Sequence, residues 1–273
     1  MSKNLTLLLL LLTANLCFGQ NSTSPYTINW KKEPIYFAAG GATAGLGFYF
    51  RDETPLFTPN ELTTLDPQDV NAFDRLAIDL ESPWADEFSD VLLIGATLAP
   101  GLLLAGKEVR QDFLKIGVLY GEMFLISGGL AHLSKFTFRR PRPYVFNSGA
   151  DLSSKQKLNA RTAFVSGHTS QTAASMFFAA KVFNDYFPDS KLKPFVWATA
   201  ATVPAVVGYL RVRAGRHFPT DVMAGYALGA AVGILVPQLH KVHRVTDGRL
   251  SFYPGFNGGA VVWNFQRTAA AAR

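Results

Sequence analysis

The stretch Ala224-Gly-Tyr-Ala-Leu-Gly-Ala-Ala-Val-Gly233 carries no charge and no polar face, and most of its side chains are no larger than a methyl group. A helix that is apolar all round is buried, either in a large core or in a bilayer. Small residues at that density let membrane helices approach closely. The same composition returns in Phe37-Ala-Ala-Gly-Gly-Ala-Thr-Ala-Gly45. Working outward, five or six apolar segments can be read: Tyr36 to Phe50, Val91 to Ala105, Phe113 to Leu133, Thr169 to Phe183, Phe195 to Tyr209 and Val222 to Leu239. Most are short for a bilayer core of about 30 Å. The expected fold is therefore all-α, a membrane-embedded bundle of five or six apolar helices. A soluble helical bundle is the competing reading, and the several segments that carry charges only at their ends and lack a polar face argue against it.

Composition sets the outer limits. The chain has 273 residues, 48% hydrophobic and 17% charged, which is enough to bury a large core. Its mean hydropathy of +0.13 is low for a chain that crosses a bilayer many times, so the membrane reading rests on individual segments. The formal charge of +6 admits nucleic acid, an anionic membrane or an anionic substrate as partners. The basic residues Lys31-Lys32, Lys107 to Arg110, Arg139 to Arg142, Arg211 to Arg216 and Lys241 to Arg244 all fall at ends of apolar segments, which speaks against a nucleic-acid groove.

Met1-Ser-Lys, Leu5 to Leu12 and the small-residue exit near Gly19 have the form of a secretory signal, expected to cover residues 1–19. Cys17 is the only cysteine and would leave with it, so no disulfide, thiolate nucleophile or cysteine metal site is expected in the mature chain. The remaining division is an N-terminal segment 20–87 with a polar, interfacial stretch from Arg51 to Asp90, a core 88–244 and a tail 245–273. In the polar stretch, Pro59-Asn60 and Asp66-Pro67 are expected helix starts, with Phe73, Leu76, Ile78 and Leu80 as the apolar face of a cap helix. In the tail, Leu250 to Phe256 and Ala260 to Phe265 around Asn257-Gly-Gly259 read as a short hairpin.

Polar residues fit for chemistry gather where the apolar segments end. His217 and Asp221, four apart at a helix start, can share one face, with the carboxylate holding the imidazole in one tautomer. Ser166-Gly167-His168 puts a small-residue turn and free amides at a helix N-terminus, an anion site. Lys135, Arg142 and Arg211 supply three fixed cations, as the spreading charge of a transferring phosphoryl group requires. Arg139, Arg140, Arg213 and Arg216 read in part as a positive cap at the membrane surface.

In this order the three clusters resemble the type 2 phosphatidic acid phosphatase (PAP2) superfamily, which includes bacterial acid phosphatases and vanadium haloperoxidases. The family pattern is Lys, six residues, Arg-Pro; then Pro-Ser-Gly-His; then Ser-Arg, five residues, His, three residues, Asp. Lys135 to Arg142-Pro143, Ser166-Gly167-His168 and Arg211 to His217 to Asp221 fit every spacing, while Val165 and Leu210 stand where the family has Pro and Ser. The resemblance covers roughly Phe88 to Leu239. It implies that His217 attacks phosphorus, Asp221 orients it and His168 protonates the leaving oxygen. Lys135, Arg142, Ser166, Gly167 and Arg211 would hold the phosphoryl group, with no metal or other cofactor required. His132, His240 and His243 match no family position and read as surface or helix-end residues.

The expected function is hydrolysis of a lipid phosphate monoester or pyrophosphate, with membrane lipids as surroundings. The alternatives are a soluble periplasmic acid phosphatase, a vanadate-dependent haloperoxidase and a non-catalytic anion-binding membrane protein. The expected location is the bacterial inner membrane with the site facing the periplasm. Basic ends at Lys107 to Arg110 and Lys241 to Arg244 ask for that orientation, whereas a removed leader followed by a spanning Tyr36 to Phe50 would reverse it.

Overall fold

The structure is a computed structural model that describes residues 24–242 and the backbone of 250–253 and 260–263. The expected signal 1–19 with Cys17, His243 and the Asn257-Gly-Gly259 turn lie outside the described residues. The first long helix, α1, runs over Glu33–Asp52. The polar stretch folds as one-turn helices α2 (Pro59–Thr63) and α3 (Ala72–Arg75). They are followed by α4 (Pro83–Leu98), continued by a 3-10 stretch to Ala105, and a short α5 (Lys107–Gln111). Next come α6 (Phe113–Phe138), the short α7 (Pro143–Phe146) and α8 (Leu152–Lys155), then α9 (Gly167–Tyr186), α10 (Lys193–Arg213) and α11 (Pro219–Leu239). After these, β1 (Leu250–Tyr253) pairs antiparallel with β2 (Ala260–Trp263), the hairpin expected in the tail.

Four stretches, Pro83–Ala105, Phe113–Phe146, Lys193–Arg213 and Pro219–Leu239, are long and apolar enough to cross a membrane. Large apolar side chains such as Ile94, Leu98, Leu102, Phe195 and Leu235 project from them into the surroundings, as a lipid-facing surface requires. The chain is a membrane protein of all-helical bundle type. Helix α9 is less apolar because it lies in the middle, packed against α4, α6, α10 and α11. Its hydroxyls are spent inside the bundle: Ser170 meets Ser127 at 3.2 Å and Ser175 meets Tyr120 at 3.2 Å. A stripe of Gly225, Gly229 and Gly233 on α11 seats that helix on α9, where any Cβ would overlap the carbonyl oxygens of Ser166, Ser170 and Ala174. Gly40 of α1 and Gly129 of α6 do the same for that pair.

Successive long helices alternate in direction. Gly40 lies on Leu125 and Gly47 on His132, so α1 runs parallel to α6 along its length. Its start therefore sits at the end of the bundle where Tyr26 bridges Lys241, beyond α11. The opposite end collects the starts of α4, α9 and α11 and the ends of α6 and α10; it is called the site end below.

The single cap helix expected between Arg51 and Asp90 does not form. Pro59 and Pro67 do start helical turns, capped by Thr58 and Asp66, but the chain breaks after each. Phe73 and Leu76 are more than half exposed while Ile78 is buried, so they share no face. The cause is Asp74, which is buried and bonds to α11 and Arg140, so that the stretch lies across the mouth of the bundle.

Candidate active site

Each site residue stands at a helix end because of local backbone chemistry. Helix α10 stops after Arg213, and Gly215, with φ of +66°, turns the chain back so that the amides of Arg216 and His217 bond to the carbonyl of Arg211. Pro219 then opens α11 with its fixed φ. Arg211 and His217 are thereby held on one tight loop. On α9, Ser166 is the N-cap: its Oγ accepts from the Thr169 amide at 3.4 Å, and its own amide donates to the Asp221 carbonyl at 3.0 Å. Gly167 faces the last turn of α6, where an added Cβ would lie 3.2 Å from Lys135 Nζ. The structure thus brings together all eight residues singled out in the sequence.

His217 is almost fully buried. Its Nδ1 lies 2.7 Å from the Ala163 carbonyl oxygen, which can only accept, so Nδ1 carries the hydrogen and Nε2 keeps its lone pair. Nε2 has no partner among the described residues. Burial first, then the charges of Arg142, Arg211 and Lys135, hold the ring well below its ordinary pKa, so it is neutral. Asp221 does not hold this ring in the way expected from the sequence. Its Oδ2 stands 3.8 Å from Nδ1 and accepts instead from the Phe218 amide at 2.8 Å, while Oδ1 takes Arg140 at 2.5 Å. The carbonyl reaches the ring first because Ala163 lies directly beside it.

Around this ring the three cations keep donors unclaimed. Arg142 Nη2 donates to Asn159 at 3.0 Å, but its buried Nε has no partner. Arg211 Nη1 donates to Asp86 at 2.6 Å and to Ser89 at 3.0 Å, and its buried Nε is likewise unpaired. Lys135 has no hydrogen-bond or ion-pair partner among the described residues. Buried donors are costly to leave unmade, so this arrangement calls for an anion. His168 closes another side, with Nε2 at 2.6 Å from Asp90 Oδ1. Burial, then Arg211, push its pKa down to about 4 against the raising effect of Asp90.

Several supporting groups had no signal as site residues in the sequence. Asp86 takes both Arg211 and Arg216, fixing the loop that carries His217. Arg140, expected in a surface cap, bridges Asp74 at 2.7 Å and Asp221, and lies over the Phe218 ring. Asp74 also accepts from the Thr220 amide and hydroxyl; burial raises its pKa, but the bonds from Thr220 and Arg140 prevail and hold it low. The Asn71 to Asp74 cap and the three- to four-residue spacing of Asp86, Ser89 and Asp90 were visible, but not what they would meet. A largely apolar groove is lined by Phe138, Arg139, Arg140, Pro141 and Phe164, of which Arg140 bonds to Asp221.

Residues 116–245 match the family model of the PAP2 superfamily. Over that stretch the chain is similar to the PAP2 superfamily. The matched stretch contains six of the helices described above, from α6 in all but its first three residues to α11 in full, while α1 to α5 lie before it. Over 81 residues the chain is 34% identical to a lipid A 4'-phosphatase of Porphyromonas gingivalis, a match covering 30% of this chain and 31% of that protein. The chain thus spans about a third of the length of that relative. A solved PAP2-type phosphatidylglycerolphosphate phosphatase from Bacillus subtilis aligns over 74% of this chain and 95% of its own, with 22% identity and a TM-score of 0.44.

Proposed function

We propose that this protein is a metal-independent phosphatase of lipid phosphate monoesters or pyrophosphates, working through a phosphohistidine on His217. The observation that carries the reading is the neutral His217, its Nε2 free, inside a ring of cations with unclaimed donors. The lone pair of Nε2 attacks phosphorus as the ester P–O bond breaks, and Lys135, Arg142, Arg211, Ser166 and the Gly167 amide hold the non-bridging oxygens. His168 gives its proton to the leaving oxygen. Water then attacks the P–N bond, His168 takes the water's proton, and phosphate departs with the imidazole restored. Asp221 acts as a positioning residue through Arg140 and the Phe218 amide.

His168 is neutral without substrate, so its acid role depends on the charge of the bound phosphate. The apolar groove of Phe138, Pro141 and Phe164 supports a lipid substrate: its Arg140 bonds to Asp221, and its apolar walls would take a tail. The lipid A 4'-phosphatase relative adds a phosphorylated glycolipid to the substrates worth assaying. The basic ends at Lys107 to Arg110 and Lys241 support an inner-membrane orientation with the site end in the periplasm.

Phosphate release by the purified protein from phosphatidic acid, phosphatidylglycerol phosphate, polyprenyl pyrophosphate and lipid A tests the class. Quenched reactions should trap phosphate on His217 in an acid-labile, base-stable form. Turnover on none of the panel, or a trapped label on a residue other than His217, overturns the reading.

A further inference from the structure

At the end of the bundle away from the site, three residues from three helices converge: Glu33 at the start of α1, Glu122 within α6 and His240 at the C-cap of α11. All are buried, and their candidate ligand atoms lie within 4.8 Å of one another. His240 ends a helix as its sequence position implied, but it is not on the surface. Its Nδ1 lies 2.8 Å from the Val236 carbonyl oxygen, an acceptor, so the hydrogen is on Nδ1. In the neutral ring Nε2 therefore presents a lone pair, 3.3 Å from Glu33 Oε2 and 3.3 Å from Glu122 Oε2. Glu122 is fully buried, and neither of its oxygens has a hydrogen-bond partner among the described residues.

With both carboxyls ionised, three acceptors face one another here, and something positive must then lie between them. A proton on Nε2 fits poorly. Charge-assisted N–H···O bonds measure about 2.7–2.9 Å, one hydrogen cannot serve two carboxylates 3.3 Å away, and a net negative charge would remain buried. A dication fits on both counts. With bonds of about 2.0–2.2 Å, two ligand atoms on one ion stand roughly 3.0–3.6 Å apart, and two carboxylates with a neutral imidazole balance its charge. The bond from Nδ1–H to a backbone carbonyl is also the outer contact that orients a metal-bound histidine.

We propose that Glu33, Glu122 and His240 bind a divalent first-row transition ion of the zinc or manganese type, which pins α1 to α6 and α11. One imidazole with two carboxylates suits those ions better than magnesium or calcium, which take oxygen ligands. The ion is structural. Glu122 and Lys135 are thirteen residues apart on one helix, about 20 Å. The chain entering α1 is fixed at the same place, where the Thr27 amide donates to the His240 carbonyl at 2.9 Å and Glu33 Oε1 accepts from the Asn29 amide.

The test uses the full chain purified in detergent. Elemental analysis after desalting should find one equivalent of zinc or manganese. EDTA should remove it and lower the melting temperature, and Zn2+ or Mn2+ alone should restore both. Glu122→Gln and His240→Asn should each weaken metal affinity by about 100-fold or more, whereas His217→Ala should retain a full equivalent. If either variant fails to fold, titration of the EDTA-treated natural protein with Co2+ gives a visible absorption band saturating at one equivalent. No band and no bound metal, or full metal content in Glu122→Gln, overturns the site. A Glu122→Gln protein that melts higher than a metal-free natural protein identifies a protonated triad instead.

Discussion

His217 at the site end and His240 at the far end are built alike. Each ring is buried at a helix boundary and gives its Nδ1 hydrogen to a backbone carbonyl, Ala163 at 2.7 Å and Val236 at 2.8 Å. Each therefore turns a lone pair on Nε2 toward a polar cluster inside an apolar bundle. The clusters have opposite sign. Around His217 stand Lys135, Arg142 and Arg211 with donors unclaimed; around His240 stand Glu33 and Glu122, the latter with both oxygens unclaimed. The same imidazole in the same tautomer is thus offered an anion at one end and a cation at the other, and the surrounding charge, not the ring, decides which.

The harshest test of that contrast is removal of one ring at a time. His217→Ala should lower phosphatase turnover by about 10⁵-fold or more, because no other group can accept the phosphoryl group. It should leave metal content and helicity unchanged. Turnover near the parental rate in a purified, folded variant would remove the site end's claim to chemistry.

The second test separates the two histidines of the site. His168→Ala should cost about 10² to 10⁴ with an alkyl phosphate, whose alkoxide needs a proton, and much less with a nitrophenyl phosphate, whose phenolate leaves unaided. His217→Ala should be equally damaging on both esters. Equal losses for His168→Ala on the two substrates would show that its proton does not go to the leaving group.

A smaller effect is expected at Asp221. Where a carboxylate alone fixes the tautomer of a catalytic histidine, changing it to the amide costs about 10⁴ in kcat. Here the Ala163 carbonyl fixes the tautomer, and Asp221 stands 3.8 Å off. Asp221→Asn should therefore lower kcat by only about 10-fold to 10², through a loosened Arg140 and Phe218 loop. A loss near 10⁴ would mean that the carboxylate takes Nδ1 from Ala163 in the working enzyme.

These contacts also mark how far the sequence could be read. All six apolar segments are helices, yet each is longer than its apolar stretch. The apolar stretch from Val91 belongs to a helix that starts at Pro83, that from Val222 to one that starts at Pro219, and that ending at Leu133 to one that runs on to Phe138. The extra turns carry Asp86, Asp90, Asp221 and Lys135, polar residues that hydrophobicity excludes and that the site requires. The eight site residues were legible because their spacing within three short clusters is fixed by local helix ends. Their supports were not: Asp74 to Thr220 and Asp86 to Arg216 are pairings more than a hundred residues long, and the Ala163 carbonyl would look the same under another residue name. Glu33, Glu122 and His240 fail for the same reason, each an ordinary residue in its own helix until the fold joins them.

The mildest test concerns acid. Two rings at the site end are held neutral, His168 pushed down to about 4 and His217 well below its ordinary value. In the unfolded chain both titrate near 6.5. Between the unfolded and folded values the unfolded state binds more protons, so stability rises with pH. The contribution of these rings is fully present above about 6.5 and is lost as pH falls toward 4 for His168, and further for His217. The melting temperature of the phosphate-free protein should accordingly drop as pH is lowered from 6.5 to 4.5. Vanadate or phosphate should flatten that fall, since a bound anion offsets the charges of Lys135, Arg142 and Arg211 and makes protonation of His168 in the folded state easier. His168→Asn should also flatten it by removing one of the two groups. An unchanged slope in His168→Asn, together with no effect of the anion, would mean that the acid sensitivity arises elsewhere and that the cations do not set the charge state of this ring.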